Sequence, residues 1–129
     1  MPIISSAVAP TFVLDDVEFT GLAAPSRGSR ENAVWRVRLS SVAPGPVHSL
    51  DREEVLVALS GRAVATLDGA EHAVSAGDAI VVPAGAPFAL RCAEPDDGSE
   101  PAFEAVAVLP VGGRAHVPGD EPFTPPWAL

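Results

Sequence analysis

Two side chains in the segment PGPVHSLDREEVLVALSG, Pro44 to Gly61, could move a proton: His48 and Glu54. In an extended chain, positions 48, 50, 54 and 56 have the same parity and share a face if no bulge intervenes. That places an imidazole and a carboxyl on the side that also carries Leu50 and Leu56. A neighbouring carboxylate favours the charged imidazole while burial opposes it, so such a histidine titrates near neutrality. The pair suits general acid–base chemistry, for example proton transfer in an isomerase, epimerase or cyclase. It also reads as a buried ion pair or hydrogen bond with no catalytic task, although keeping an uncompensated polar pair in an apolar setting is costly.

Few other residues compete for a chemical role. All eight basic residues are arginines, and with neither lysine nor tyrosine the chain has no Schiff-base chemistry and no P-loop. The single cysteine, Cys92, cannot form an intramolecular disulfide and fits a reducing cytoplasm. It shares parity with Phe88 and Leu90, which reads as core packing rather than a reactive thiol. His72, beside the Asp68–Gly69 turn, reads as a surface residue. His116 lies in a C-terminal tail that could fold over other parts of the chain. The formal net charge of −9 and the lack of a basic cluster exclude nucleic acid and anionic membrane as expected partners. No apolar run is long enough to span a membrane.

The elements that must position His48 and Glu54 read as strands. With 14 prolines and 11 glycines scattered over 129 residues, the pattern is that of short strands joined by turns. TFVLDDVEFTGL is a short alternating piece, followed by the loop AAPSRGSREN. In AVWRVRLSSV, Trp35, Val37 and Leu39 face one way, while Arg36 and Arg38 face the other and read as a solvated sheet face or as arginines meeting an anionic ligand. EVLVALSGRAVATLDGAEHAV divides into two or three strands at Ser60–Gly61 and Asp68–Gly69, the second a two-residue hairpin turn. Gly77–Asp78, the corner Pro83–Ala84–Gly85 and FEAVAVLPV complete the set. No internal repeat or convincing helix is visible.

Two segments in order resemble the two sequence motifs of the cupin superfamily. Gly45, His48, Leu50, Glu54 and Gly61 match the first; Gly77, Pro83, Gly85, Phe88 and Cys92 match the second. The resemblance implies a single-domain, all-β cupin, a double-sheet antiparallel barrel of jelly-roll type. It also implies that metal-dependent members hold an ion with three histidines and a glutamate. Only His48 and Glu54 carry over as metal ligands, because Leu50 and Phe88 stand where the other histidines would be. A tightly bound metal is therefore disfavoured, since first-row divalent ions want at least three protein ligands. His116 is the remaining candidate for a third. Members of the superfamily often dimerise through their strands, which implies a homodimer.

The expected organisation is an N-terminal arm with a short strand over residues 1–32, a barrel over 33–110, and a proline-rich tail over 111–129. In the tail, Phe123 and Trp127 are expected to pin the chain to the barrel or to a partner subunit. The barrel is expected to bind a small organic molecule near His48 and Glu54, with Trp35, Leu50, Leu56, Phe88 and Phe103 as pocket wall or core. The alternatives are a metal-dependent dioxygenase, isomerase or polyketide cyclase with an incomplete ligand set, and a non-catalytic sensor or structural dimer whose cavity is filled.

Overall fold

A computed structural model describes residues 3–129; Met1 and Pro2, the start of the expected arm, lie outside the described residues. Ten strands follow in order: β1 (Thr11–Leu14), β2 (Val17–Ala23), β3 (Asn32–Leu39), β4 (Ser49–Leu50), β5 (Glu54–Leu67), β6 (Ala70–Ser75), β7 (Ala79–Val82), β8 (Phe88–Cys92), β9 (Phe103–Pro110) and β10 (Ala115–His116). Three short 3-10 turns, Ser6–Val8, Pro25–Arg27 and Pro126–Ala128, are the helical elements among the described residues.

The strands pair antiparallel throughout. One sheet runs β1-β2-β3-β9-β5-β7, and the second runs β6-β5-β8. Strand β5, 14 residues long, belongs to both. Its first half pairs with β7 and β9, and its second half pairs with β6 and β8. The sheets pack with their alternate side chains inward. Ala33, Trp35, Val37 and Leu39 of β3 meet Phe103, Ala105, Ala107 and Leu109 of β9, Leu56 and Ala58 of β5, and Phe88 and Cys92 of β8. The many alanines on this inner face leave room for the large rings between them.

The period-two reading of β3 therefore corresponds to its inward and outward faces, and β9 alternates in the same way. The Asp68–Gly69 pair makes the β5–β6 hairpin with φ of 48° and 81°, the positive angles a two-residue turn requires. The corner at Pro83–Gly85 is tied to the first motif, because the Gly85 N–H donates to the Leu50 carbonyl at 2.7 Å.

Ser60–Gly61 is not a strand break. The pairing with β9 slips between Ala58 and Ser60, and β5 continues through the irregularity into the second sheet. Gly61 adopts φ 78°, and a Cβ there would lie 2.1 Å from the carbonyl oxygen of Ala102. The backbone approaches so closely that only glycine fits. The first 32 residues contribute two strands, β1 and β2, to the large sheet, where one short strand was expected. The tail contains regular structure as well. β10 pairs with β4, and the Pro126–Ala128 turn docks on β2 and β3.

Substituting Gly61→Ala should lower stability by about 2–4 kcal/mol, since the added methyl must displace backbone at a strained φ. Urea unfolding against the wild type measures this. A change smaller than about 1 kcal/mol (roughly a fivefold step in the folding equilibrium) would show that the strand does not depend on the close approach.

Candidate functional site

Glu54 opens β5 and points into the barrel, on the same face as Leu56 and Ala58 and opposite Val82 of β7. It is 4% exposed, and it is the one buried charged side chain among the described residues. Among those residues no ion pair reaches its carboxyl, and no side-chain hydrogen bond does either. Its surroundings are the hydrophobic core. Loss of hydration without a compensating partner disfavours the carboxylate, and burial pushes its pKa up to about 7.

His48 takes a different place. Its backbone forms an isolated bridge with Phe88, with His48 N–H donating to the Phe88 carbonyl at 3.0 Å and Phe88 N–H returning at 2.8 Å. The ring is half-buried at the barrel rim and meets the Phe88 ring edge-on, with centroids 5.5 Å apart. Nδ1 lies 3.1 Å from the Pro46 carbonyl. A carbonyl only accepts, so Nδ1 carries the proton and Nε2 of the neutral ring is the free acceptor. His48 and Glu54 form neither an ion pair nor a hydrogen bond. The shared face assumed from parity is interrupted at residues 51–53, where a bend separates β4 from β5.

The five residues expected to line a pocket are all in the core. Trp35 and Leu50 are 4% exposed, Leu56 and Phe88 3%, and Phe103 1%. All five belong to one packed apolar cluster, in which Trp35 and Leu56 lie beside Ala107 near the start of β5 and Phe103 lies in register with Gly61, seven residues beyond Glu54. Cys92 is fully buried in the same cluster, where burial raises its thiol pKa and the Ser41 carbonyl accepts its backbone N–H. That is an inert setting for a thiol. His72 is exposed on β6.

Residues of the tail complete the enclosure. Ala115 of β10 sits opposite Leu50 of β4, and the tail is hooked there by Asp51 N–H to the Arg114 carbonyl at 3.0 Å and Arg114 N–H to Asp51 Oδ1 at 2.7 Å. Further on, the Trp127 ring stacks on Phe19 at 3.7 Å with parallel planes, within 6.4 Å of Trp35 and 6.2 Å of Phe12. Its indole Nε1–H is buried with no partner among the described residues. Trp127 and Ala128 belong to the same core cluster as Leu50 and Phe88. Phe123 is 42% exposed and makes a backbone bridge with Ala115, so Trp127 is the anchor of the tail. Phe19 was not singled out in the sequence; its alternation with Val17 and Gly21 was the available signal.

Two surface cavities lie away from this interior. One, of about 430 Å³, is lined by Arg62, Pro95, Asp96, Asp97 and Glu100 and neighbours in the 93–102 loop. The other, of about 80 Å³, lies between Glu18, Thr20, Arg36 and Arg38. The arginines expected on a solvated face are engaged in ion pairs. Arg36 meets Glu104 at 3.0 Å, and Arg38 meets Glu104 at 3.7 Å and Glu18 at 4.0 Å.

A doubly layered antiparallel barrel, bent along one shared strand and bearing a motif glutamate inside, defines a cupin-type domain. The family model for the cupin domain matches residues 36–100, and the chain belongs to that family. Among solved structures, the chain is similar to the polyketide cyclase RemF from Streptomyces resistomycificus, with a TM-score of 0.76 at 16% identity over 94% of this chain and 87% of that one. It is also similar to the salicylate 1,2-dioxygenase from Pseudoaminobacter salicylatoxidans solved with gentisate, with a TM-score of 0.69 at 16% identity, over 86% of this chain and 31% of that one. KdgF from Halomonas sp. aligns with a TM-score of 0.67 at 17% identity over 84% of this chain and 94% of that one. At these identities the likeness concerns the fold. No curated protein matches the chain significantly.

The donor set does not fit the divalent metal that many barrels of this family hold. Leu50 and Phe88 supply no lone pairs, which leaves His48 Nε2 and the Glu54 carboxyl as the donors of the motif positions. His116 is exposed on β10, paired in register with Ser49. Among the described residues no three His, Cys, Asp or Glu side chains converge. No helix among them is long and apolar enough to cross a membrane.

The raised Glu54 pKa has a sign that can be checked. The folded state holds the proton up to about pH 7 and the unfolded chain only to about 4.5. The neutral acid therefore stabilises the fold at low pH, and that stability is lost as pH rises through the interval. Between about pH 5.5 and about pH 8 wild type should lose about 2 kcal/mol more than Glu54→Gln. Denaturant titrations of both proteins at both pH values give this difference. Parallel losses in the two proteins would place the carboxyl at its ordinary value.

Proposed function

We propose that the barrel binds a small neutral organic molecule beside Glu54 and that this carboxyl serves as its hydrogen-bond donor and acid–base group. The observation that carries the reading is the Glu54 carboxyl itself, 4% exposed with no partner in an apolar interior. A buried polar group without a partner costs about 1–3 kcal/mol, and a ligand hydroxyl or carbonyl would remove that cost. A pKa of about 7 leaves the acid half-protonated near neutral pH, which suits both directions of proton transfer. The interior offers no cation, so a carboxylate or phosphate on the ligand would be left uncompensated, whereas a neutral aromatic would suit the apolar side chains, Leu56 and Trp35 among them, that share the inner face with Glu54. The fold likeness to a polyketide cyclase is compatible with this ligand class. Entry requires packed side chains to move, because Leu50, Ala115 and Trp127 belong to the same closed core cluster. His48, with its free Nε2 at the rim, would guide a ligand hydroxyl inward. A reducing cytoplasm suits the lone cysteine.

The closure of the core supports a second reading, in which the filled barrel is a non-catalytic scaffold. Titration with 1-naphthol near pH 6, followed by calorimetry, separates the two. The binding reading expects one saturable site per chain, weakened about tenfold or more in Glu54→Leu, the equivalent of one hydrogen bond. Trp127→Ala should accelerate association. An absence of saturable binding, or binding indifferent to Glu54→Leu, would favour the scaffold.

A further inference from the structure

The N-terminal arm and the C-terminal tail are fastened at one place, the turn Ala24–Ser29 and the strand β2 that leads into it. Arg27 holds the arm: its guanidinium donates to the carbonyls of Ser5 at 2.9 Å, Val8 at 3.1 Å and Leu22 at 3.2 Å. The preceding residue holds the tail, since the Ser26 N–H and hydroxyl both donate to the Leu129 carbonyl. Gly21 of β2 lies under both segments. A Cβ there would come within 3.3 Å of the Trp127 carbonyl oxygen and 3.5 Å of Pro10 Cγ. Among the described residues, the two Ser26 bonds are the hydrogen bonds that join residues 118–129 to residues 3–110. Four of those twelve tail residues are Pro118, Pro122, Pro125 and Pro126, which have no N–H for a strand pairing. The tail is therefore held chiefly by the Trp127 ring, stacked on Phe19 and flanked by Phe12 and Trp35.

We propose that arm and tail form one clasp over the inner face of β2 and β3, and that the slot beneath it takes a planar, neutral aromatic ring in place of Trp127. The clasp opens as a unit because each segment supports the other. Phe12, just beyond the arm, packs against the Trp127 ring, and both backbones cross the bare Gly21 between Ser26 and Arg27. Withdrawal of either segment removes part of the surface on which the other rests. The slot has the shape of a flat ring, since Trp127 and Phe19 lie parallel with centroids 3.7 Å apart. It provides no acceptor for the buried Trp127 Nε1–H, so a ring without a donor avoids a cost that the indole bears. Glu54 is not part of this slot. Ala107 of β9 separates Trp35 of β3 from Leu56 of β5, and Glu54 lies two residues further along β5. The slot is thus a second site, and its occupation does not depend on a ligand at Glu54.

Amide hydrogen exchange of the full chain tests the clasp. The Gly21 N–H, bonded to the Pro10 carbonyl at 2.9 Å, reports on the arm, and the Ser26 N–H, bonded to the Leu129 carbonyl at 3.2 Å, reports on the tail. Trp127→Phe should speed exchange about tenfold at both positions, and so should Arg27→Gln, while the amides of β5 and β9 keep their wild-type rates. Acceleration at one position alone, or at neither, would overturn the clasp. Titration of the wild type with benzothiophene, the isostere of indole with sulfur in place of N–H, tests the slot. The readout is the pair of tryptophan Nε1–H resonances, assigned with Trp127→Phe. Saturable movement of the Trp127 resonance to the position of solvent-exposed indole, retained in Glu54→Leu, is the expected result. A Trp127 resonance that stays in place, or a movement lost in Glu54→Leu, would refute the second site; the latter outcome would assign the binding to the Glu54 interior instead.

Discussion

Strand β5 is the constraint on which the rest of the barrel depends. It is hydrogen-bonded to β7 and β9 along its first half and to β6 and β8 along its second, so the two sheets are joined by continuous backbone. A strand can change sheets only where the ladder slips and the chain bends, and here the slip at Ala58–Ser60 is followed at once by Gly61. The absence of a side chain at Gly61 lets the β9 end at Ala102 come within contact of the bend. β9 itself is held by its ladders to β3 and β5 along its whole length. The bend where β5 changes sheets therefore depends on a missing Cβ, while burial of the core holds the two sheets together.

The same strand delivers the one group with chemistry inside. Because β5 begins at Glu54 with its odd-numbered neighbours facing out, the carboxyl lies on the inner face with only a residual 4% exposure. In many cupin barrels a metal would neutralise a glutamate so placed; here apolar side chains occupy the positions that would supply its other ligands. The acid is left to hold its own proton. Stability is sacrificed locally, because a well-packed apolar residue would suit the site better than a lone carboxyl. That sacrifice is the physical reason to connect Glu54 with a ligand rather than with folding.

Much of the architecture was legible in the chain because it rests on local rules. Alternation in β3 marked the inner face, Asp68–Gly69 marked its hairpin, and the glycine and proline spacing marked the two motifs. What was not legible depends on distant segments meeting. Ser60–Gly61 resembles a turn in isolation, and only the nearness of Ala102 makes it a bend within one strand. The parity of residues 48 and 54 suggested a joined pair, but a three-residue bend breaks the count and gives His48 to the rim and Glu54 to the interior. The tail was marked by its prolines, which do not show that β10 forms within it. That Trp127 would be the anchor and Phe123 would remain half in solvent depends on where β10 meets β4.

The central claim is that Glu54 is a lone buried acid titrating far above an ordinary carboxyl. Carbon-13 NMR of the full chain with labelled glutamate δ-carbons, assigned through the missing resonance of Glu54→Gln, measures it directly. The account predicts one glutamate resonance with a midpoint near 7, absent from the variant. A Glu54 midpoint near the ordinary 4.5 would mean that the carboxyl is hydrated or paired in solution, and would contradict the account.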